Sequence, residues 1–120
     1  MSDDEKALQF LTTQKHMVLA VVLDDGTPWV VPVKLQAHDG LRTFEWDSRL
    51  DTVHSRALAG HPQMAITIYQ KEEPWQIGVY AKGSGELVED RGDGYGRYRF
   101  TATKVWLNDE TFVKREVRIV

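Results

Sequence analysis

Seven strand-length apolar segments succeed one another along this chain, with turn signals between them and a single helical segment inserted after the third. Laid side by side as a flat antiparallel sheet, seven strands would leave two long edges of unpaired backbone, so closure or near-closure into a barrel is the favoured arrangement. A β-sandwich is the rival, but the inserted helix disfavours the immunoglobulin type, in which short loops join nearly all strands.

The first element is a helix. Ser2 or Asp3 caps it, Asp4 and Glu5 sit in its first turn, and Ala7, Leu8 and Leu11 recur at helical spacing up to about Gln14. Met17 to Leu23 is then an apolar, β-branched run, Asp24-Asp25-Gly26-Thr27 is a turn, and Pro28 to Ala37 alternates, which together read as a β-hairpin. In its second arm Val31, Val33 and Leu35 share one face, and Val30, Pro32, Lys34 and Gln36 the other. Pro32 lacks a ladder donor, which marks an edge or a bulge. His38-Asp39-Gly40 turns the chain into a third strand, Leu41 to Asp47, with Phe44 and Trp46 on one face.

Ser48 to Gly60 is the inserted helix, with Val53, Ala57 and Leu58 as its buried side and Gly60 ending it ahead of Pro62. Gln63 to Gln70 alternates Met64, Ile66 and Ile68 against Ala65, Thr67 and Tyr69; Lys71-Glu72-Glu73 forms a solvated tip, and Trp75 to Val88 is a strand broken at Gly83-Ser84-Gly85, the mark of a bulge or barrel corner. Arg91 to Gly96 reads as a flexible loop, and Tyr98 to Leu107 and Thr111 to Val120 as two last strands joined at Asn108-Asp109. The expected fold is mainly β (α+β): one domain over 1–120, a closed or nearly closed antiparallel barrel of six to seven strands with two short helices. If Trp75, Ile77 and Val79 point outward while Met64, Ile66 and Ile68 fill the interior, an apolar face is left for a second copy, so a homodimer is expected.

The 120 residues carry a net charge of −3 with the basic residues scattered, which gives no footprint for nucleic acid or an anionic membrane. The longest apolar run is far too short to span a bilayer and the N-terminus is acidic where a secretory leader is basic, so a cytoplasmic location is expected. Without cysteine there are no disulfides, thiolate metal sites or cysteine nucleophiles. His16, His38, His54 and His61 form no closely spaced pair, so no metal site is read, and neither glycine cluster sits between a strand and a helix as phosphate loops require.

Leu19 to Val22 followed by Gly26-Thr27-Pro28-Trp29-Val30-Val31-Pro32-Val33 resembles the opening hairpin of the pyridoxamine 5′-phosphate oxidase-like split-barrel family. The resemblance continues through Thr52 to Ile68, with His61-Pro62 at the family's asparagine-proline step, through Gly83 to Val88, and through Lys104-Val105-Trp106-Leu107. It implies that the antiparallel barrel is a split β-barrel, with two subunits related by two-fold symmetry that bind two FMN molecules at their interface, and the family also holds deazaflavin binders and heme-handling members.

The implied cofactor-binding residues follow from the matched segments. Val31, Pro32, Val33 and Lys34 would present backbone groups to the isoalloxazine edge. Trp46, Asp47, Ser48 and Arg49, with Thr52, His54 and Ser55, would offer hydroxyl, guanidinium and amide donors to the phosphate. Trp106 would wall the ring, and Arg115 falls near a substrate-handling arginine. Taken alone, Ser48 and Thr52 are better read as surface caps and Trp106 as core, while Val31 to Val33 suit an ordinary edge strand equally well.

Thr52-Val53-His54 stands where the true oxidases carry serine-arginine-lysine, and Asn108 stands near their substrate tryptophan, so the vitamin oxidase reaction is not expected. The expected function is an FMN-binding, oxidoreductase-like protein acting on a small molecule. The alternatives are a non-catalytic module holding FMN, a deazaflavin or heme, and a ligand-free dimeric interaction protein.

Overall fold

The computed structural model describes residues 1–72 and 76–120. Glu73 at the expected tip and Trp75 at the expected strand start lie outside them.

Helix α1 (Asp3–Leu11) starts where Ser2 accepts a hydrogen bond from the Glu5 amide, with Asp3, Asp4 and Glu5 complementing the helix dipole. It buries Ala7, Phe10 and Leu11. The strands are β1 (His16–Val22), β2 (Pro28–Lys34), β3 (Ala37–Asp39), β4 (Thr43–Arg49), β5 (Gln63–Gln70), β6 (Ile77–Gly92), β7 (Tyr95–Asn108) and β8 (Arg115–Val117), with helix α2 (Val53–Gly60) between β4 and β5.

The hydrogen-bonded order is β2-β1-β5-β6-β7-β4-β3, with β8 added to β7 and neighbouring strands antiparallel. Strands β2 and β3 end this path, yet only Leu35 and Gln36 separate them in sequence. The Leu35 amide donates to the Lys15 carbonyl on the β1 side and the Gln36 amide to the Glu45 carbonyl in β4, both at 2.9 Å. The two ends of the sheet therefore meet, and the sheet curls into a split barrel. Its interior is filled by the inward residues of every long strand, among them Leu19, Phe44, Trp46, Ile68, Val79, Phe100 and Leu107, all essentially inaccessible.

Several expectations are corrected. Among the described residues strands number eight, because His38 and Asp39, read as part of a turn, join Ala37 in a short strand that pairs with Thr43–Glu45. Strand β4 continues to Arg49 because Ser48 and Arg49 still pair with Gly96 and Tyr95, so α2 begins only after Thr52, whose hydroxyl accepts from the Ser55 amide. Val53, at the first helical position, is consequently 43% exposed, and His54 and Ser55 join Ala57 and Leu58 on the buried side.

Ile77 and Val79 point inward rather than outward. The register sets Val79 opposite Ile68, and directly opposed residues share a face. The expected loop Arg91 to Gly96 is a tight hairpin in which Asp93 and Gly94 both have positive φ, 55° and 80°, the conformation that matches the twist of paired strands. The last strand shrinks to Arg115–Val117, since Asp109 folds the preceding segment by accepting from the amide and hydroxyl of Thr111.

The glycine signal in β6 is a bulge: Lys82 pairs with Lys104 but Gly83 with Ala102, leaving Thr103 extra. A β-carbon on Gly83 would collide with the Thr101 carbonyl. Gly83→Ala is expected to cost about 1–3 kcal/mol by overpacking, read as a lower denaturation midpoint at unchanged slope in urea.

Candidate functional site

Two regions gather the residues of interest. At the end of β4, alternation sends Phe44, Trp46 and Ser48 inward and Glu45, Asp47 and Arg49 outward. Trp46 lies wholly in the core, stacked on Tyr98 with centroids 5.6 Å apart, and its indole nitrogen has no hydrogen-bond partner among the described residues. Ser48 meets the buried His54, Oγ to Nε2, at 2.9 Å. The Thr52 hydroxyl accepts from the Ser55 amide at 3.1 Å, and Ser55 Oγ donates to the Arg49 carbonyl at 2.7 Å.

The charges of this region are also engaged. Arg49 pairs with Asp51 at 3.1 Å and lies over the Tyr95 ring; Arg97 donates to Asp47 at 2.6 Å and Glu45 at 3.1 Å, and Arg99 to Glu45 at 2.8 Å. Hydrogen bonds from these arginines hold the carboxyls of Glu45, chiefly through Arg99, and of Asp47 below the usual carboxylate range. Burial pushes the His54 imidazole below its ordinary value, toward the neutral form. Ser48, Arg49, Thr52, His54 and Ser55 thus lie together, and they bond chiefly to one another.

The second region lies on the outside of the barrel. Adjoining grooves of ≈ 650 Å³ and ≈ 500 Å³ share Ala20, Ala65 and Lys82, and run from Val22 and Pro28 at one end to Tyr80, Trp106 and Lys114 at the other. Their floor is the outward side of β1, β5 and β6, made of small and apolar side chains. Val30 of the edge strand β2, 62% exposed, forms one wall. Tyr80 and Trp106 face each other across β6 and β7, and the Lys114 ammonium sits 4.2 Å above the Tyr80 ring centroid.

Among the remaining predicted residues, Val31 and Val33 turn inward against the core, while Pro32 and Lys34 face out on β2. Arg115 stands apart, hydrogen-bonded to Asp3 at 2.9 Å and Asp109 at 2.8 Å. Asp109 also takes Lys6, and the Arg115 bond above all drives its carboxyl far below the ordinary range. Ala20, Ala65, Tyr80, Lys82 and Lys114 were not anticipated. The signal for the groove was the continuous apolar run Met17 to Leu23, since a strand apolar on both faces is covered on both faces.

A sequence model of the pyridoxamine 5′-phosphate oxidase family matches residues 3–118. The chain belongs to this family.

Solved structures share the split-barrel fold of this family member. A protein from Clostridium acetobutylicum related to general stress protein 26 of Bacillus subtilis, of the pyridoxine phosphate oxidase family, is 16% identical with a TM-score of 0.80, over 98% of this chain and 97% of its own. A heme-binding protein from Mycobacterium smegmatis, also 16% identical, gives 0.84 over 98% of this chain and 58% of its own. General stress protein 26 from Bacillus anthracis, 12% identical, gives 0.78 over 98% and 100%. At these identities the likeness is one of fold. No curated protein sequence matches the chain.

The buried His54 gives a pH prediction. Its folded pKa lies below the free value of about 6.5, so the unfolded chain binds the proton more readily, and the stability tied to the neutral ring is present above that pH and lost as pH falls through the folded value. The melting temperature of the wild type should therefore fall more steeply between about pH 7 and pH 5 than that of His54→Gln. Parallel curves would remove His54 from the acid response.

Proposed function

We propose that the chain is a flavin-binding member of its family that works as a homodimer, with FMN held in the outward groove and the second copy closing over it. The outward groove is the observation that supports this reading. A soluble single chain seldom leaves an apolar cleft of this extent uncovered, and its volume falls in the range that small-molecule sites occupy.

The groove residues suit a flat ring. The Tyr80–Trp106 pair offers an aromatic wall, Ala20 and Ala65 allow close approach, and among the described residues β2 pairs only with β1, so its outer flank, with Pro32, has backbone groups available to a ligand edge. When bound, the flavin would supply hydride or electron transfer. The protein's part is to bind and orient the ring and, once paired, to exclude water from it.

A second reading, non-catalytic storage of heme or a deazaflavin, is favoured by the β4–α2 cluster. Its Arg49 and His54 are already engaged by Asp51 and Ser48, which leaves little there for a phosphate.

The absorbance spectrum of freshly purified protein separates the two. Oxidised flavin bands, bleached anaerobically by NADPH or NADH, support the first reading; a heme Soret band or a deazaflavin spectrum supports the second; a colourless protein that binds neither FMN, hemin nor a deazaflavin overturns both. Sedimentation at micromolar concentration should give a dimer, and Ala65→Arg, which places a charge on the groove floor, should give a folded monomer that no longer retains FMN. A wild-type monomer would count against the shared groove.

A further inference from the structure

Strand β5 begins at Gln63, so its pairing with β6 stops at Ser84, and the chain before it belongs to α2. Strand β6 nevertheless runs on to Gly92, paired among the described residues with β7 alone. The Gly85 amide donates to the Pro62 carbonyl at 2.8 Å, so the backbone groups of Gly85 face the edge that β5 has vacated. Successive residues of a strand address opposite edges. The amide and carbonyl of Leu87 therefore face this open edge, and no group among the described residues meets them there.

Beside the edge runs a groove of ≈ 520 Å³, to which α2 contributes Arg56, Leu58 and Ala59, the β6–β7 ribbon Leu87 and Tyr98, and the β4–α2 connection Leu50. Leu87 is 47% exposed. An open strand edge along an apolar groove can take an extended chain as one further strand: main-chain hydrogen bonds hold it, and every second side chain enters the groove. The register shift at Val88 limits such pairing to a short stretch, which hinders the long edge-to-edge contact that another sheet would make.

The outward residues of this edge set the charge of its occupant. Glu86 stands opposite Arg99, whose guanidinium goes to Glu45 instead, and neither Glu86 nor Asp90 takes part in an ion pair among the described residues. Glu89 meets the exposed Arg91 at 3.5 Å, and Arg56 lies across the groove on α2. A second copy presenting the same edge would set these carboxylates against their equals, whereas a basic chain complements them.

We propose that the groove between α2 and the far half of β6 docks an extended peptide of alternating apolar and basic side chains, added to β6 in line with β5. Its apolar residues enter beside Leu58, Leu87 and Tyr98, its basic ones lie on the outer face beside Glu86, and its backbone bonds to Leu87. The site shares no lining residue with the outer groove over β1, β5 and the start of β6, so the two stand or fall separately.

The test uses the full chain and the fluorescence anisotropy of three fluorescein-labelled heptapeptides. One alternates lysine with valine, one has glutamate in place of lysine, and one is the lysine peptide N-methylated at two adjacent central amides. The lysine peptide should bind most tightly, and the N-methylated one, which keeps its side chains but loses main-chain donors, roughly tenfold more weakly. Leu87→Pro removes the edge-facing amide and spares the β6–β7 ladder, so it should weaken the lysine peptide to a similar degree with little change in melting temperature. Ala59→Arg, at an exposed position of α2, should block the groove, and Glu86→Gln should weaken the lysine peptide roughly threefold.

Equal binding of the N-methylated peptide, or unchanged affinity in Ala59→Arg, overturns strand addition in this groove; the second result decides alone if Leu87→Pro melts early. Equal affinity for the glutamate peptide overturns the basic partner. A wild-type assembly that dissociates in Leu87→Pro, read by sedimentation, gives the edge to a second copy and overturns the peptide, as does no binding of the lysine peptide up to roughly millimolar concentration.

Discussion

The two-residue step Leu35-Gln36 is the constraint on which the rest of this barrel depends. It joins the strands at the two ends of the hydrogen-bonded path, and its two amides bond to opposite sides of the seam, one toward β1 and one into β4. With so short a link the sheet cannot lie flat, and curvature sends one side chain of each alternating pair into a common core. The same curvature decides what lies outside: the small residues of β1 and β5 come to floor a groove walled by β2 and by the β6–β7 aromatics.

The outer surface is divided by chemistry. On β4 and β7, Glu45, Asp47, Arg97 and Arg99 form a ladder of alternating charge that suits water and discourages a partner, although each such half-exposed pair contributes only about 0–1 kcal/mol. On β1, β5 and the start of β6 the outward positions hold Val18, Ala20, Ala65, Thr67 and Tyr80 instead. A third region, Asp109 with Lys6 and Arg115, ties the first helix to the end of the chain and so commits Arg115 to architecture.

How much of this was legible depends on whether the deciding term was local. The opening hairpin, the edge position of β2 and the bulge at Gly83 were readable because proline and glycine act through their own backbone. The inward set Met64, Ile66 and Ile68 was readable from alternation. The direction of Ile77 and Val79 was not, because it is fixed by a cross-strand register that no single segment contains. Nor was the burial of Ser48 and His54, which follows from β4 running two residues further along β7 than its own pattern announces. The site divided in the same way: Trp106 borders the groove, whereas its companions come from four strands and a loop and meet only through closure.

The tight turn at Asp93-Gly94 bears on how the molecule assembles. It joins the two longest strands by the shortest possible connection, so their pairing closes a loop of minimal entropy and can form before anything distant is in place. Pairing of β1 with β5 must instead wait for β2, β3, β4 and α2 to be gathered between them, and the seam closes only when the sheet is otherwise complete. Contact locality thus favours the β6–β7 ribbon as the first long pairing to form, and Tyr80 and Trp106 lie opposite each other on it.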